Sequence, residues 1–594
     1  MIATLLRRVG LMPGLVLFLL VLGAAHPALA THLLGGEMTY RYLDANGPAA
    51  APLRYEITVA IYNNCGNAAI RPAASVGIYN QGTGARVVLT SINYAYTTTN
   101  SSQTGMMSIP QTSLSACVQP TIPPGCTISG VSQPYQLQKF VGTVNLPQST
   151  AGYYALFTDG NRNVDITNLN NAGGQALTLY TALAPPALPN HSPVFSDLAV
   201  AIICANDTTY LLNNAVDADG DRLVYSFGQP YGTTDGLGTL PLFNFTPPPP
   251  ILRYTPGFGY SATTPFGTTT GNFAELDPTS GIAKYSSTKV GAKYAVAVDV
   301  SEYRTVNGQD VLIGTTRRDL QLVVASCPTT KAPVLPPVAV TPRNYTVEAG
   351  ASLSVPITVT QADSHPLAMT LNSVLLDGVG GYDATLNGQV GTVTPGNPTG
   401  TATVTGTNGV VTGTLTFNTS CTDARTTPYD VALLVKDIGC AGKTVVDILH
   451  ITVTKPKGPT AIAGDATVCV PNTVHTYTAS GGTAPKISWR VVGGTIVGTT
   501  ANAVQVNWAN LGTGTVVARG VTQYGCLTDS VVQRVVVAQA GTLTAAGALT
   551  ICRGSSTTLS ITGGAGPYTL TGGASPITGN GPFVISPSQT TTYT

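Results

Sequence analysis

Apolar residues fall at every second position in several short runs of this chain: YEITVAIY (55–62), KYAVAVDVSEY (293–303), LQLVVAS (320–326) and TVVDILHITVT (444–454). A period of two buries one face of a strand, and turn residues separate the runs at short intervals, as in sandwiches. After the first thirty residues no long segment keeps the 3.6-residue apolar period of a helix. The pattern predicts an all-β chain of tandem β-sandwich domains. Proline clusters unsuited to a sheet interior mark the linkers: TALAPPALPNHSPVF (181–195), CPTTKAPVLPPVAV (327–340) and TKPKGPTA (454–461). They set expected units at 31–188, 189–330, 331–456, 457–540 and 541–594.

Residues 1–30 read as a signal peptide: Arg7 and Arg8, an apolar run from Leu15 to Leu22, then Ala28-Leu29-Ala30 as a small-residue cleavage site. The run is short for a membrane span, and no later stretch is long enough, so no transmembrane segment is expected in the mature chain. An extracellular or outer cell-surface location follows. Composition agrees with the β reading: 65 glycines and 42 prolines, with charged residues at 9% against roughly 25% in ordinary soluble proteins. The 43% hydrophobic content argues against disorder, and 28 basic against 27 acidic residues give no case for nucleic acid.

Export makes the ten cysteines disulfide candidates. Cys117 and Cys126 are neighbours in sequence, as are Cys421 and Cys440; Cys204 and Cys327 bracket one expected unit, Cys469 and Cys526 another. Cys65 and Cys552 have no evident partners. The order Cys469, Trp489, Cys526 suggests an immunoglobulin-like core in which the indole packs on the bridge. TVCVPNTVHTYTASGGTAP (467–485) is echoed by TICRGSSTTLSITGGAGP (550–567), so the last two units read as copies of one module. The last copy stops inside a plausible strand, and a longer protein is expected.

NNAVDADGDRLVYSF (213–227) places Asp217, Asp219 and Asp221 at alternate positions ahead of a strand, with Gly220 between the last two. Calcium takes six to eight oxygens; three carboxylates supply part of that, with Asp299 and Glu302 as further candidates. The spacing is not that of an EF-hand, since Gly228 stands where the bidentate glutamate belongs, and the loop resembles the acidic loop of cadherin-like modules. The other reading is a solvated turn, with Asp221 or Asp219 paired to Arg222 or Arg318. GCAGKT (439–444) ends like a P-loop, but Asp437 replaces the required glycine, and a strand pattern follows, so it reads as a hairpin.

Catalytic patterns are absent: no Gly-x-Ser-x-Gly elbow, no His-Glu-x-x-His, histidines without ligand spacing, and glutamates only at 37, 56, 275, 302 and 348. Tyrosine clusters such as INYAY (92–96) suit sheet faces, PPPP (247–250) a rigid loop, and Trp489 a core position.

THLLGGEMTYRYL, HSPVF, DADGDRLVYSF, PPPPILRYTPG, LDPTSGIAKY and VSEYRTVNG with TTRRDLQLVV, in that order over residues 31–327, resemble the opening of very large secreted proteins of gliding bacteria. Residues 456–594 look like PKD-type and related immunoglobulin-like repeats. The resemblance implies sorting by type IX secretion. Relatives carry two adjacent cysteines before an Arg-Asn, where this chain has DGNRN (159–163); their loss would leave Cys65 unpaired. Together these features predict a non-catalytic, adhesin-like rod of β modules that attaches to cell-surface or matrix polysaccharide or protein, with calcium as a structural ion. The alternatives are a carbohydrate-binding or scaffold region of a larger secreted enzyme, and a purely structural envelope or matrix protein.

Overall fold

The computed structural model describes residues 33–594, apart from 66–70, 86, 88–106, 119–132, 161, 184–188, 197–199, 233–251, 378–383, 394–398, 440–442, 471–473, 540–541, 546–548 and 564–565. The expected signal peptide, His32, INYAY, PPPP, Cys126 and Cys440 lie outside these. The described chain is all-β, with only two 3-10 turns, and no helix among these residues is long and apolar enough to cross a membrane. It forms two compact units. The first takes the described residues up to Arg343 with Ser354–Thr416 and Tyr429–His450; the second takes Asn344–Leu353, Phe417–Pro428 and Ile451–Thr594. The expected 331–456 domain is therefore divided between them.

The first unit is dominated by one eleven-stranded sheet. Its strands run in the order Leu33–Asp44, Leu53–Asn64, Tyr135–Leu146, Met107–Leu114, Ala73–Asn80, Tyr153–Asp159, Leu177–Leu183 and Gln309–Ala325. Gln309–Ala325 then pairs back with the first strand, at Gly36 with Asp319 and Glu37 with Arg318. Eight strands thus close into a ring, which removes the free edges of an open sheet. The interior is filled by Met38, Ile57, Val59, Val76, Phe140, Phe157 and Leu179, all at most 2% exposed. Gly35 explains why two glycines open this strand: a Cβ there would lie 2.2 Å from the Asp319 carbonyl oxygen.

The closing strand comes from the expected second domain, so the boundary at 188/189 is no break in the sheet. Gln309–Ala325 also pairs along its length with Lys293–Val306, which pairs with Arg222–Gly228, and its far end runs parallel to Val200–Cys204. A second core gathers Phe195, Ile203, Tyr225, Phe266, Tyr285, Tyr294, Val298 and Leu322 under a three-stranded sheet. Cys204 and Cys327 are bridged, as their bracketing positions suggested. Cys65 is not unpaired: it bridges to Cys117, which it can reach because both lie beside Pro134–Tyr135. Tyr429–Asp437 and Thr444–Thr454 are neighbours in a sheet, and the Asp437 amide donates to the Lys443 carbonyl. The P-loop-like sequence is a hairpin.

In the second unit, residues 457–540 form two four-stranded sheets around Tyr477, Val504, Val506, Trp508, Val516, Val535 and Val537. The expected core differs in two respects. Trp508 is the buried indole, 1% exposed and donating to the Tyr477 hydroxyl at 3.1 Å, whereas Trp489 packs at the margin. Cys526 bridges to Cys421, not to Cys469. The reason is alternation: Val468 points into the core, so Cys469 points out and is free and exposed. The echoed segments each form a strand, Val474–Ser480 and Thr557–Thr562, and Cys552 is free and exposed like Cys469.

Candidate functional site

Asp217, Asp219 and Asp221 do converge: one carboxylate oxygen from each lies within 4.8 Å of the others. Gly220, at φ 76°, supplies the left-handed turn between them. Their surroundings decide the chemistry. Arg304 grips Asp221 with two hydrogen bonds, Nε to Oδ1 at 2.8 Å and Nη2 to Oδ2 at 2.6 Å, and reaches Asp219 at 3.3 Å. His191 donates its backbone N–H to Asp219 Oδ2 at 2.7 Å, and its Nδ1 lies 3.0 Å from Oδ1. Asp217 Oδ1 accepts the Asp221 amide at 2.8 Å. Five of the six carboxylate oxygens therefore already face a donor. Arg304 already brings positive charge to the loop, so a cation entering it would have to displace that guanidinium.

The remaining oxygen, Asp217 Oδ2, is buried and has no N–H or neutral hydroxyl partner. Glu302 lies against it, fully buried, its oxygens accepting from Asn190 Nδ2 at 3.2 and 3.3 Å. Burial, followed by the charge of Asp217, pushes the Glu302 carboxyl well above its usual range. Burial also raises Asp217, to about 6, with Asp221 and Asp219 adding to the rise and the Asp221 amide opposing it. Asp217 thus raises Glu302, as like charges held together in a buried site do. Gly314 makes room: a Cβ there would meet Glu302 Oε2 at 2.7 Å.

Asp299 is not part of the cluster. On Lys293–Val306 it and Glu302 are three positions apart, so a period of two sends them to opposite faces. Asp299 instead pairs with Arg317 at 2.5 Å, whose guanidinium lies 3.6 Å above the Tyr231 ring. The expected partners of the aspartates are also replaced. Arg222 pairs with Asp310, and Arg318 with Glu37 while lying over Phe195. Asn190, His191 and Arg304 were missed, although HSPVF and VSEYR are conspicuous in sequence. Residues 302 and 304 lie two positions apart on one strand, so both side chains serve the loop.

Beside this cluster, Arg162 makes a two-pronged pair with Asp319, at 2.8 and 2.6 Å, both side chains at most 2% exposed. Asn163 donates to Gln321, which donates to Gln133. A cavity of about 540 Å³ in residues 544–593 is lined by aliphatic and hydroxyl side chains, with Arg553 its only charge and no acid or histidine.

No protein-family model matches the chain, and no curated protein matches it. Solved structures with overlapping folds include Sidekick-1 immunoglobulin domains 1–4 (10% identity, 73% of this chain and 92% of that one, TM-score 0.23). Protocadherin gamma B2 cadherin domains 1–5 share 11% identity over 72% and 74% of the two chains, TM-score 0.17. Drosophila N-cadherin EC1–4 shares 13% identity over 71% and 91%, TM-score 0.16. All three are tandem extracellular β modules, and at these scores the overlaps fix neither a domain order nor a role.

Proposed function

We propose that this chain is a non-catalytic, secreted or surface-displayed adhesin-like protein, a series of β modules that presents loops and sheet faces to cell-surface or matrix ligands. The observation that carries the reading is the use of its acids. The acids grouped around Arg304, Arg317, Arg318 and Arg162 are bound to internal cations. The pair Asp217–Glu302 is buried, at 9% and 0% exposed. General acid–base work needs such groups within reach of a substrate. The sequence resemblance to large secreted proteins of gliding bacteria supports the same reading and, with it, export through type IX secretion.

In this proposal Arg304 is the counter-charge of the aspartate loop, His191 adds hydrogen bonds to it, and calcium would have to displace Arg304 to enter. The test is retention of the purified full chain on immobilised cell-surface polysaccharide and on whole cells, with the bound polymer assayed for cleavage. Retention without turnover is expected. Release of shortened polymer would favour the enzyme-associated alternative, and no retention above an inert protein would remove adhesion.

A further inference from the structure

The fourth module concentrates positive charge on one sheet face. Residues 457–540 hold five basic residues and two acidic ones, in a chain otherwise balanced. Four of the five sit in the sheet formed by Lys486–Val492, Gly512–Val521 and Leu527–Gln539. Alternation fixes their side. Trp489 and Val491 pack on the core with Val516 and Val535, so Lys486, Arg490, Arg519 and Arg534 face outward, and all four are exposed.

Register turns these four into a stripe. Lys486 lies opposite Val521, Ser488 opposite Arg519, Arg490 opposite Val517, and Val492 opposite Thr515, which in turn lies opposite Arg534. A cation therefore recurs every second residue level, about 7 Å along the strands, over a length of roughly 20 Å. Among the described residues none of the four makes an ion pair. Of the two acids, Asp465 pairs with His475, and Asp529 is exposed in the register shift between Arg519 and Val521, with no ion pair among the described residues. The gaps are filled by aliphatic side chains such as Val492 and Val532, 49% and 54% exposed.

We infer that this face is the ligand-binding surface of the module and that its partner is an acidic polysaccharide bearing carboxylate or sulfate groups. Unpaired guanidinium groups at regular spacing match repeated oxyanions, two oxygens of which arginine can bind in a two-pronged manner. Single-stranded nucleic acid is the weaker match, because such sites add aromatic stacking platforms and this face has no aromatic residue. The inference rests on the adhesin reading and names the class of ligand for it.

The test uses the full chain with dextran sulfate, polygalacturonate, neutral dextran and a single-stranded oligonucleotide as probes. The Arg490→Gln/Arg519→Gln/Arg534→Gln triple variant should lose tenfold or more in affinity for the acidic polymers, with a shallower dependence on salt. The matching Lys triple should retain most binding, and Arg553→Gln, an exposed arginine elsewhere, should change nothing. Both tryptophans lie in this module, so its fluorescence melt reports whether each variant is folded. Undiminished binding by the Gln triple would overturn the inference, as would oligonucleotide binding equal to that of the polysaccharides. Binding to cells or neutral dextran with none to acidic polymers would overturn it while leaving adhesion standing; binding to no surface would remove both.

Discussion

Arg162, Arg317 and Arg318 in the first unit and Arg490, Arg519 and Arg534 in the second are the same residue in opposite circumstances. The first three are at most 5% exposed, and each meets a carboxylate: Asp319, Asp299 and Glu37. The second three are exposed and unpaired. A buried guanidinium must be paired because its lone charge would cost several kcal/mol in a low-dielectric interior. An exposed one is solvated, contributes little to stability, and is free to meet something outside the chain. In a protein with so few charges, the first group serves the fold and the second is left for a ligand.

The sharpest break would come from cutting the ring. Residues 189–330 expressed alone should fail to fold, because Gln309–Ala325 would lose its partners on the first strand and Asp319 its arginine, whereas 33–330 should show a cooperative melt. A cooperative transition in the short fragment would mean that the sheet is not one body. Replacing Cys204 and Cys327 by serine comes next, removing about 5 kcal/mol in the chain-entropy treatment of a loop this long, read by denaturant unfolding.

Glu302→Gln sharpens the comparison within the first unit. An acid with a raised folded pKa is bound to its proton more tightly in the fold. Its stabilising share is present below about pH 4 and lost as pH rises through about 6 for Asp217, and higher still for Glu302. The amide keeps the Asn190 and Asp217 contacts without titrating. Between pH 4 and 8 the variant should therefore lose less stability than the wild type. A parallel pH profile would show that the Glu302 carboxyl is not raised in the fold. The smallest effect is expected from calcium, which at millimolar concentration should move the melt by less than about 1 °C. A clear rise, lost in Asp219→Asn, would show that calcium displaces Arg304.

The strands were legible because a period of two is local. YEITVAIY lies within Leu53–Asn64, and KYAVAVDVSEY begins Lys293–Val306. The convergence of Asp217, Asp219 and Asp221 was legible for the same reason, and alternation applied strictly would also have excluded Asp299. The ring closure was not, since Gly36 meets Asp319 across most of three hundred residues and no local pattern records such a pairing. TTRRDLQ was misleading in another way. Polar side chains in a strand read as a solvated face, yet Thr316, Arg318, Asp319 and Gln321 are at most 1% exposed, each held by a partner distant in sequence. Disulfide partners were hidden similarly, Cys526 reaching Cys421 across 105 residues.

The most direct measurement is guanidinium unfolding of Arg162→Ala beside the Arg490/Arg519/Arg534→Gln triple variant, followed by two signals. Tryptophan fluorescence follows the second unit, which holds both tryptophans, and near-ultraviolet tyrosine dichroism follows chiefly the first, which holds most of the tyrosines. Arg162→Ala should lower the tyrosine transition by about 3–5 kcal/mol and leave the tryptophan transition in place. The triple variant should move neither by more than about 0.5 kcal/mol per substitution. A mild Arg162→Ala, or a triple variant that unfolds the second unit, would contradict the division between arginines that build the fold and arginines that face a ligand.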